Sequence, residues 1–554
     1  MQESYNVIVE KDVYVPMRDG VRLAVDIYRP DAPGKFPALL AMSAYGKNTQ
    51  RQMLPQPVPS PLGDACIEAG MTNEIVARGY VHVIACSRGT GQSEGEYLSM
   101  YSKQEAEDGY DLVEWIAAQP WCDGNVGMIG ISYFGTIQLV VASERPPHLK
   151  AIAPFEATTD QYLACYHGGV LDGFYSELFT GRHSTLSWSG FQPKNVKSKM
   201  MKTLPPDELK RRVEELKNDP DINQYNLLYS ILDCPEKNPI FFDIMLNPYD
   251  DNGEYWWNPN LENIEIPVLC GNAWFPDCGP KFVRGPFMIW QGVKGPKKMF
   301  MVPPGWLERP FSQYHDIILD WFDYWLKGID NGIMDEPPIK LFISGDNEYR
   351  YEYEWPLKRT QWTDFYLRTH GRLSTEPEKF DYIEPDGFTQ PPLSVTQKIN
   401  SVEYSTGPLN KDLEITGPIT LYLQMAIDAE DSMIKASIFD VDPTGKETEM
   451  THGHLKLSHR ELDPVRTKPW QPFHKHTKES VKPVVPGEIY EYAIELYPMG
   501  HVFKKGHQLK LKICSLDLPG AAFSYHVGSS KTISYKIYRD RMRPSRLFLP
   551  VIPR

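Results

Sequence analysis

The amino-acid sequence predicts an α/β chain: a largely parallel, doubly wound sheet with a helical insertion inside it and an all-β part behind it. Three observations carry this reading. Short, almost wholly apolar runs alternate with helical patterns through the first part of the chain. A serine stands between two glycines where one apolar run gives way to a helix. Past about Pro337 helical periodicity vanishes and short alternating segments take over.

Residues 7–15 and 23–28 read as opening antiparallel strands, joined through the turn Arg18-Asp19-Gly20. Apolar runs follow at 36–42, 80–86, 126–131 and 150–154. Strands without polar alternation are what a parallel sheet covered on both faces requires. Between them, 105–119 has the helical period, with Tyr110, Leu112, Val113, Ile116 and Ala117 at its apolar positions. Acids gather at its start, where the helix dipole favours them. From about 158 to 261, charged helices such as 206–218 alternate with aromatic-rich, proline-punctuated stretches, which predicts a cap over the sheet. Two further sheet strands are expected at 266–271 and 298–302, then an amphipathic helix at 314–327 with Ile317, Ile318, Trp321, Phe322, Trp325 and Leu326 inward. The segments 340–344, 361–368, 419–425, 433–439, 489–496 and 508–513 are separated by Gly, Pro, Asp and Asn turns and predict a β-sandwich or jelly roll. The expected division is 1–157 and 262–335 for the two parts of the α/β core, 158–261 for the cap, and 336–554 for the jelly roll.

Composition narrows the partners. The net charge of -14, with no basic stripe, argues against a nucleic-acid partner. Hydrophobic residues at 41% and charged residues at 23% match an ordinary soluble globular chain. The amino terminus has no charged-then-apolar leader, and no apolar run approaches a membrane span. A cytoplasmic protein with no membrane partner is expected, with homo-oligomerisation left open. The 8 cysteines form no C-x-x-C pair and have no histidines at zinc spacing, so no metal site is expected.

The serine is Ser132, within G-I-S-Y-F-G at 130–135. A sharp strand-to-helix turn of this kind is a nucleophile elbow, the mark of an α/β-hydrolase core. Such a serine needs a base, and the base an orienting acid, in the chain order Ser, Asp or Glu, His. Asp277, just past the 266–271 strand, is the expected acid, with Asp250 and Asp251 as rivals inside the cap. His315, at the head of the 314–327 helix, is the expected base, with His167 and His183 as alternatives. An oxyanion needs preorganised donors. The Tyr133 amide follows the nucleophile, and the Tyr45 hydroxyl can stand in for the absent H-G-G-G run after the 36–42 strand. In the cap, Tyr162, Tyr166, Phe174, Tyr175, Trp188, Trp256 and Trp257 suggest an aromatic acyl pocket, with cap core as the equal alternative; Trp274, beside the acid, joins the candidate lining.

Several longer segments carry a resemblance. A-Y-G-K at 44–47, R-G-T-G-Q-S-E-G at 88–95, W-C-D-G-N-V-G-M-I-G-I-S-Y at 121–133 and W-F-D-Y-W-L-K-G at 321–328 are similar to the CocE/NonD hydrolases. So are G-P-L at 407–409, I-T-G at 415–417 and F-K-K-G-H-Q-L-K-L at 503–511. That family includes cocaine esterase, α-amino acid ester hydrolases, glutaryl acylases and, more distantly, X-Pro dipeptidyl-peptidases. The resemblance implies a three-domain serine hydrolase without cofactor, with Ser132 as nucleophile, Asp277 as acid, and Tyr45 and Tyr133 forming the oxyanion hole. The chain departs from the family pattern in three places. Many members carry G-P-W-x-H after the last core strand; here Glu308 holds the histidine's place. One extra residue separates Trp274 from Asp277, and Cys86 stands where an aspartate is common. The expected activity is hydrolysis of a small-molecule ester or amide through an acyl-enzyme. X-Pro dipeptidyl-peptidase activity and a catalytically impaired binding protein are the alternatives.

Overall fold

The computed structural model describes residues 5–48, 50, 68–175, 194–275, 280–304, 312–392, 394–517, 524–525 and 531–554. Its first half is built on a 10-stranded sheet. Strands β1 (Val7–Pro16) and β2 (Arg22–Pro30) form the opening hairpin, with Val15 opposite Leu23. β3 (Phe36–Ser43), β4 (Val81–Cys86), β5 (Cys122–Met128) and β6 (Leu149–Ile152) are parallel, and Val268–Ala273 and Lys297–Val302 continue them. Every residue of β4 is buried, which explains why its sequence shows no alternation.

Helices cover this sheet. α1 (Thr72–Ala77) precedes β4, α2 (Lys103–Ala117) precedes β5, and α3 (Tyr133–Ala142) precedes β6. α2 begins in a capping box: Ser102 accepts from the Glu105 amide while the Glu105 carboxylate accepts from the Ser102 amide. The helix expected at 314–327 runs over Ser312–Lys327 and buries Ile318, Trp321, Phe322 and Leu326.

Ile339–Ile343 differs from its expected place. Its alternating pattern reads as the start of the jelly roll, yet it pairs parallel with Lys297–Val302 and antiparallel with Glu348–Glu352 in the first sheet. It lies next to the last strand of that sheet, where one face is half-open, so its side chains alternate between buried and partly exposed. The later strands form an 11-stranded, mostly antiparallel system around Leu413–Ile427, which pairs with Tyr490–Phe503 and Arg546–Ile552.

Between β6 and Val268–Ala273 the chain forms helices Lys199–Thr203, Pro206–Asn218, Asn226–Asp233 and Pro239–Leu246. Pro at the first position and acids in the first turn fix the start of Pro206–Asn218. The short strand Val170–Asp172 pairs with Ser524–Tyr525, tying this region to the β domain. Among the described residues, no helix is long and apolar enough to cross a membrane.

Candidate active site

The chain order of the sheet locates the site. From β3 the chain moves outward to β4, then returns across β3 to form β5. The carboxyl ends of β3 and β5 therefore open on a crevice, where ligands of such sheets bind. Tyr45 follows β3 and Ser132 follows β5.

Ser132 has φ 60° and ψ -117°, a conformation that L side chains rarely adopt. Four hydrogen bonds hold it there. The Ser132 amide donates to Phe155 O at 3.1 Å, and the Ile131 amide donates to Glu68 O at 3.0 Å. The Gly135 and Thr136 amides donate to Ser132 O at 3.0 and 2.9 Å. The flanking glycines are steric requirements. A Cβ on Gly130, whose φ is +128°, would sit 2.4 Å from Phe134 Cβ, and one on Gly135 would sit 2.2 Å from Phe155 O. Gly135→Ala is therefore expected to cost about 1–3 kcal/mol in urea unfolding. An unchanged midpoint would show that the turn can spread at no cost.

Ser132 is the N-cap of α3, and Tyr133 is its first helical residue. The Tyr133 amide is thus among the N–H groups that no preceding turn can satisfy, at the positive end of the helix. Tyr45 comes alongside. Its amide donates to Ser43 Oγ at 2.9 Å, and its ring stands edge-on to Tyr133 at 5.4 Å and to Phe134 at 6.3 Å. The Tyr133 amide thus directly follows the nucleophile, and the Tyr45 ring packs against the side chains of the two residues after it.

The Tyr133 phenol is engaged in the interior. It donates to the Glu105 carboxylate at 2.8 and 2.9 Å and lies 2.7 Å from the Tyr97 hydroxyl. Ser87 Oγ donates to the same carboxylate at 2.6 Å. Burial pushes Glu105 up to about 7, against the lowering effect of Ser87, Tyr133 and the Ser102 amide. Sequence reasoning missed this group. Its one signal, S-x-x-E at 102–105, reads as a helix cap and nothing more.

His315 is 1% exposed and faces α1. Its Nε2 accepts from the Met71 amide at 3.0 Å, and its Nδ1 lies 3.3 Å from Glu74 Oε2. Among the described residues no hydrogen bond joins it to Ser132. Asp277, Glu308, His183 and Trp188 lie outside the described residues. Tyr162 and Tyr166 stack at 5.2 Å with Trp256 edge-on, and their hydroxyls donate to Pro248 O and Ile244 O, as cap-core residues do. Phe174 packs edge-on against Tyr175 at 5.3 Å. Trp274 is 2% exposed, donates to Phe342 O at 2.7 Å and stacks on Phe287. Among the described residues no group of three or more His, Cys, Asp and Glu could hold a metal ion.

Known proteins share this plan. The model of the X-Pro dipeptidyl-peptidase S15 family matches residues 19–305, and that of the X-Pro dipeptidyl-peptidase C-terminal non-catalytic domain matches 331–547. The cocaine esterase of a Rhodococcus species is 27% identical over 99% of both chains. A putative serine esterase of Mycobacterium tuberculosis is 26% identical over 97% of this chain and 95% of its own. A solved CocE/NonD family hydrolase from Staphylococcus aureus superposes with a TM-score of 0.79 at 25% identity, covering 99% of this chain and 94% of its own. The chain belongs to the CocE/NonD hydrolase family. As a CocE/NonD hydrolase it combines an α/β-hydrolase core with a C-terminal β domain, and the two matched regions follow that division.

Proposed function

We propose that this CocE/NonD hydrolase cleaves a small-molecule ester or amide through an acyl-enzyme on Ser132. The carrying observation is the strained Ser132 at the turn between β5 and α3, followed directly by the Tyr133 amide, with the Tyr45 ring against the Tyr133 ring. His315 takes the Ser132 proton as Oγ attacks the carbonyl carbon, and Asp277 orients the imidazole. The oxyanion rests on the Tyr45 hydroxyl and the Tyr133 amide. Collapse expels the alcohol or amine, which leaves with the proton from His315. Water, deprotonated by the same imidazole, then releases the acid. For His315 to act, its Nε2 must part from the Met71 amide.

Tyr45→Phe tests the oxyanion assignment. It is expected to lower kcat by about 10²–10³-fold with the melting temperature unchanged. Full kcat in that variant would remove Tyr45 from the oxyanion hole. Turnover of aryl esters against X-Pro anilides separates an esterase from the dipeptidyl-peptidase activity that the family model's name carries.

One observation favours a second reading, a binding protein on a hydrolase scaffold. Glu308 holds the place of the family histidine, and both nitrogens of His315 face α1. A fluorophosphonate probe decides. Stoichiometric labelling of Ser132 requires an activated hydroxyl, and an unlabelled, folded protein would favour the binding reading.

A further inference from the structure

The group that the proposed reaction leaves unused is the Glu105 carboxylate beneath the elbow. It is 2% exposed, and among the described residues it has no ion pair with a lysine, arginine or histidine. Its stabilisation comes from hydrogen-bond donors. Oε1 accepts from Ser87 Oγ at 2.6 Å and from the Tyr133 hydroxyl at 2.8 Å. Oε2 accepts from the Tyr133 hydroxyl at 2.9 Å and from the Ser102 amide at 3.3 Å. These partners come from three places: the end of β4, the start of α2 and the start of α3. Ring contacts hold the Tyr133 ring from two directions, tilted against Tyr101 at 4.5 Å and edge-on to Tyr45 at 5.4 Å.

A buried carboxylate without a cation is costly, and an apolar or amide side chain would fill the space more cheaply. What the carboxylate supplies is direction. Ionised, it can only accept, so the Tyr133 phenol must donate towards α2. The phenol and the amide belong to the same residue, the one that follows the nucleophile. We propose that Glu105 is a positioning residue, whose carboxylate anchors the Tyr133 phenol and thereby aims the Tyr133 amide at the oxyanion. The proposal rests on the hydrolase reading of Ser132.

The anchor depends on pH. Facing the carboxylate are Tyr133 from α3, Ser87, Tyr97 and Tyr101 from the segment after β4, and Asp108 one turn on along α2. Asp108 is itself tied to Arg88, which also pairs with Asp19. Burial places the Glu105 ionisation near 7. Above that pH the carboxylate accepts from all its partners. Below it one oxygen becomes a donor, and a hydroxyl must turn round. The anchored geometry is therefore present at alkaline pH and lost as pH falls through that value.

The experiment is the pH profile of kcat/KM for an aryl ester, with active sites counted by fluorophosphonate labelling. In the wild type both the catalytic imidazole and Glu105 must be deprotonated for full activity, so the acid limb of the logarithmic plot is expected to be steeper than a slope of one. Glu105→Gln is expected to reduce that slope to one and to lower kcat per labelled site by about 10–100-fold, with KM almost unchanged. Tyr133→Phe should lose a similar amount, and the double variant little more, because both cut the same connection. Glu105→Asp, which keeps the charge, should restore the steeper limb and part of kcat even if Glu105→Gln folds poorly. An unaltered slope and wild-type kcat per site in Glu105→Gln and Tyr133→Phe would overturn the proposal, whatever their melting temperatures. If the wild type hydrolyses no ester and Ser132 is not labelled, the hydrolase reading itself fails and this inference falls with it.

Discussion

Ser132→Ala is expected to lose ester turnover by about 10⁴-fold or more while remaining folded. The size of the effect follows from what is removed. Without Oγ no acyl-enzyme forms, and the remaining donors can only polarise a carbonyl for attack by water. The same position carries a stability prediction of opposite sense. A non-glycine residue at φ 60° and ψ -117° is strained, and such strain costs about 1–3 kcal/mol. Glycine relieves it, at an entropic cost of about 0.4–1 kcal/mol through the unfolded chain. Ser132→Gly should therefore be inactive and more stable than Ser132→Ala, read as a higher urea midpoint. Residual turnover near the wild-type rate in both variants would remove Ser132 as nucleophile. A lower midpoint for Ser132→Gly would show that the elbow stores no strain.

How much of this was legible depends on the range over which each signal acts. The elbow is readable because its constraints are local: a strand, two glycines and a helix that follow one another between Cys122 and Ala142. Pro206–Asn218 and Gln361–Arg368 match the expected 206–218 and 361–368, because proline, acids and turn residues punctuate them in sequence. The alternation in Ile339–Ile343 points to the wrong sheet because it reports how faces are exposed, not which strand lies alongside. Glu447–Lys456 was not read as a strand at all. Its buried residues include Thr451, His452 and His454, polar groups that point to no core until the cap region is packed against them. Glu105 hides for the same reason. A helix-capping glutamate looks solvated in sequence, and only the arrival of Tyr133 and Ser87 from other elements buries it.

A second buried pair, His459 and His476, gives the second large effect, a loss of stability in mild acid. The Nδ1 atoms of His459 and His476 lie 2.9 Å apart, so one ring donates and the other accepts, and the accepting ring must be neutral. Tyr249 stacks on His459, Tyr162 leans on His476, and a Cβ on Gly169 would strike the His459 ring at 2.5 Å. The pair therefore closes the contact between the cap region and the β domain. Burial holds both far below the ordinary imidazole value of 6.5; His476 and Lys456 add to the effect on His459, and His474, Arg284 and Arg466 to that on His476. The sign follows. Below about pH 6.5 the unfolded rings take up protons and the folded ones do not, so stability is present above that pH and is lost as pH falls beneath it. Each ring contributes about 1.4 kcal/mol per pH unit, so the pair should cost the wild type about 3 kcal/mol between about pH 7.5 and 5.5. Asp250, near the same contact, is pushed up to about 7 by burial and by Asp160, and acts in the opposite direction. A comparison of variants cancels it. His476→Asn suits the φ of 54° at that position, and its amide can donate to His459 Nδ1, so the variant retains the contact and removes one titration. Its urea midpoint should fall less far than that of the wild type over the same interval, by the share of one imidazole; His452 and His474, which burial lowers to about 4, titrate alike in both proteins. An equal fall in both proteins would mean that the ring of His476 is already charged in the folded state, or is not held between the two regions at all.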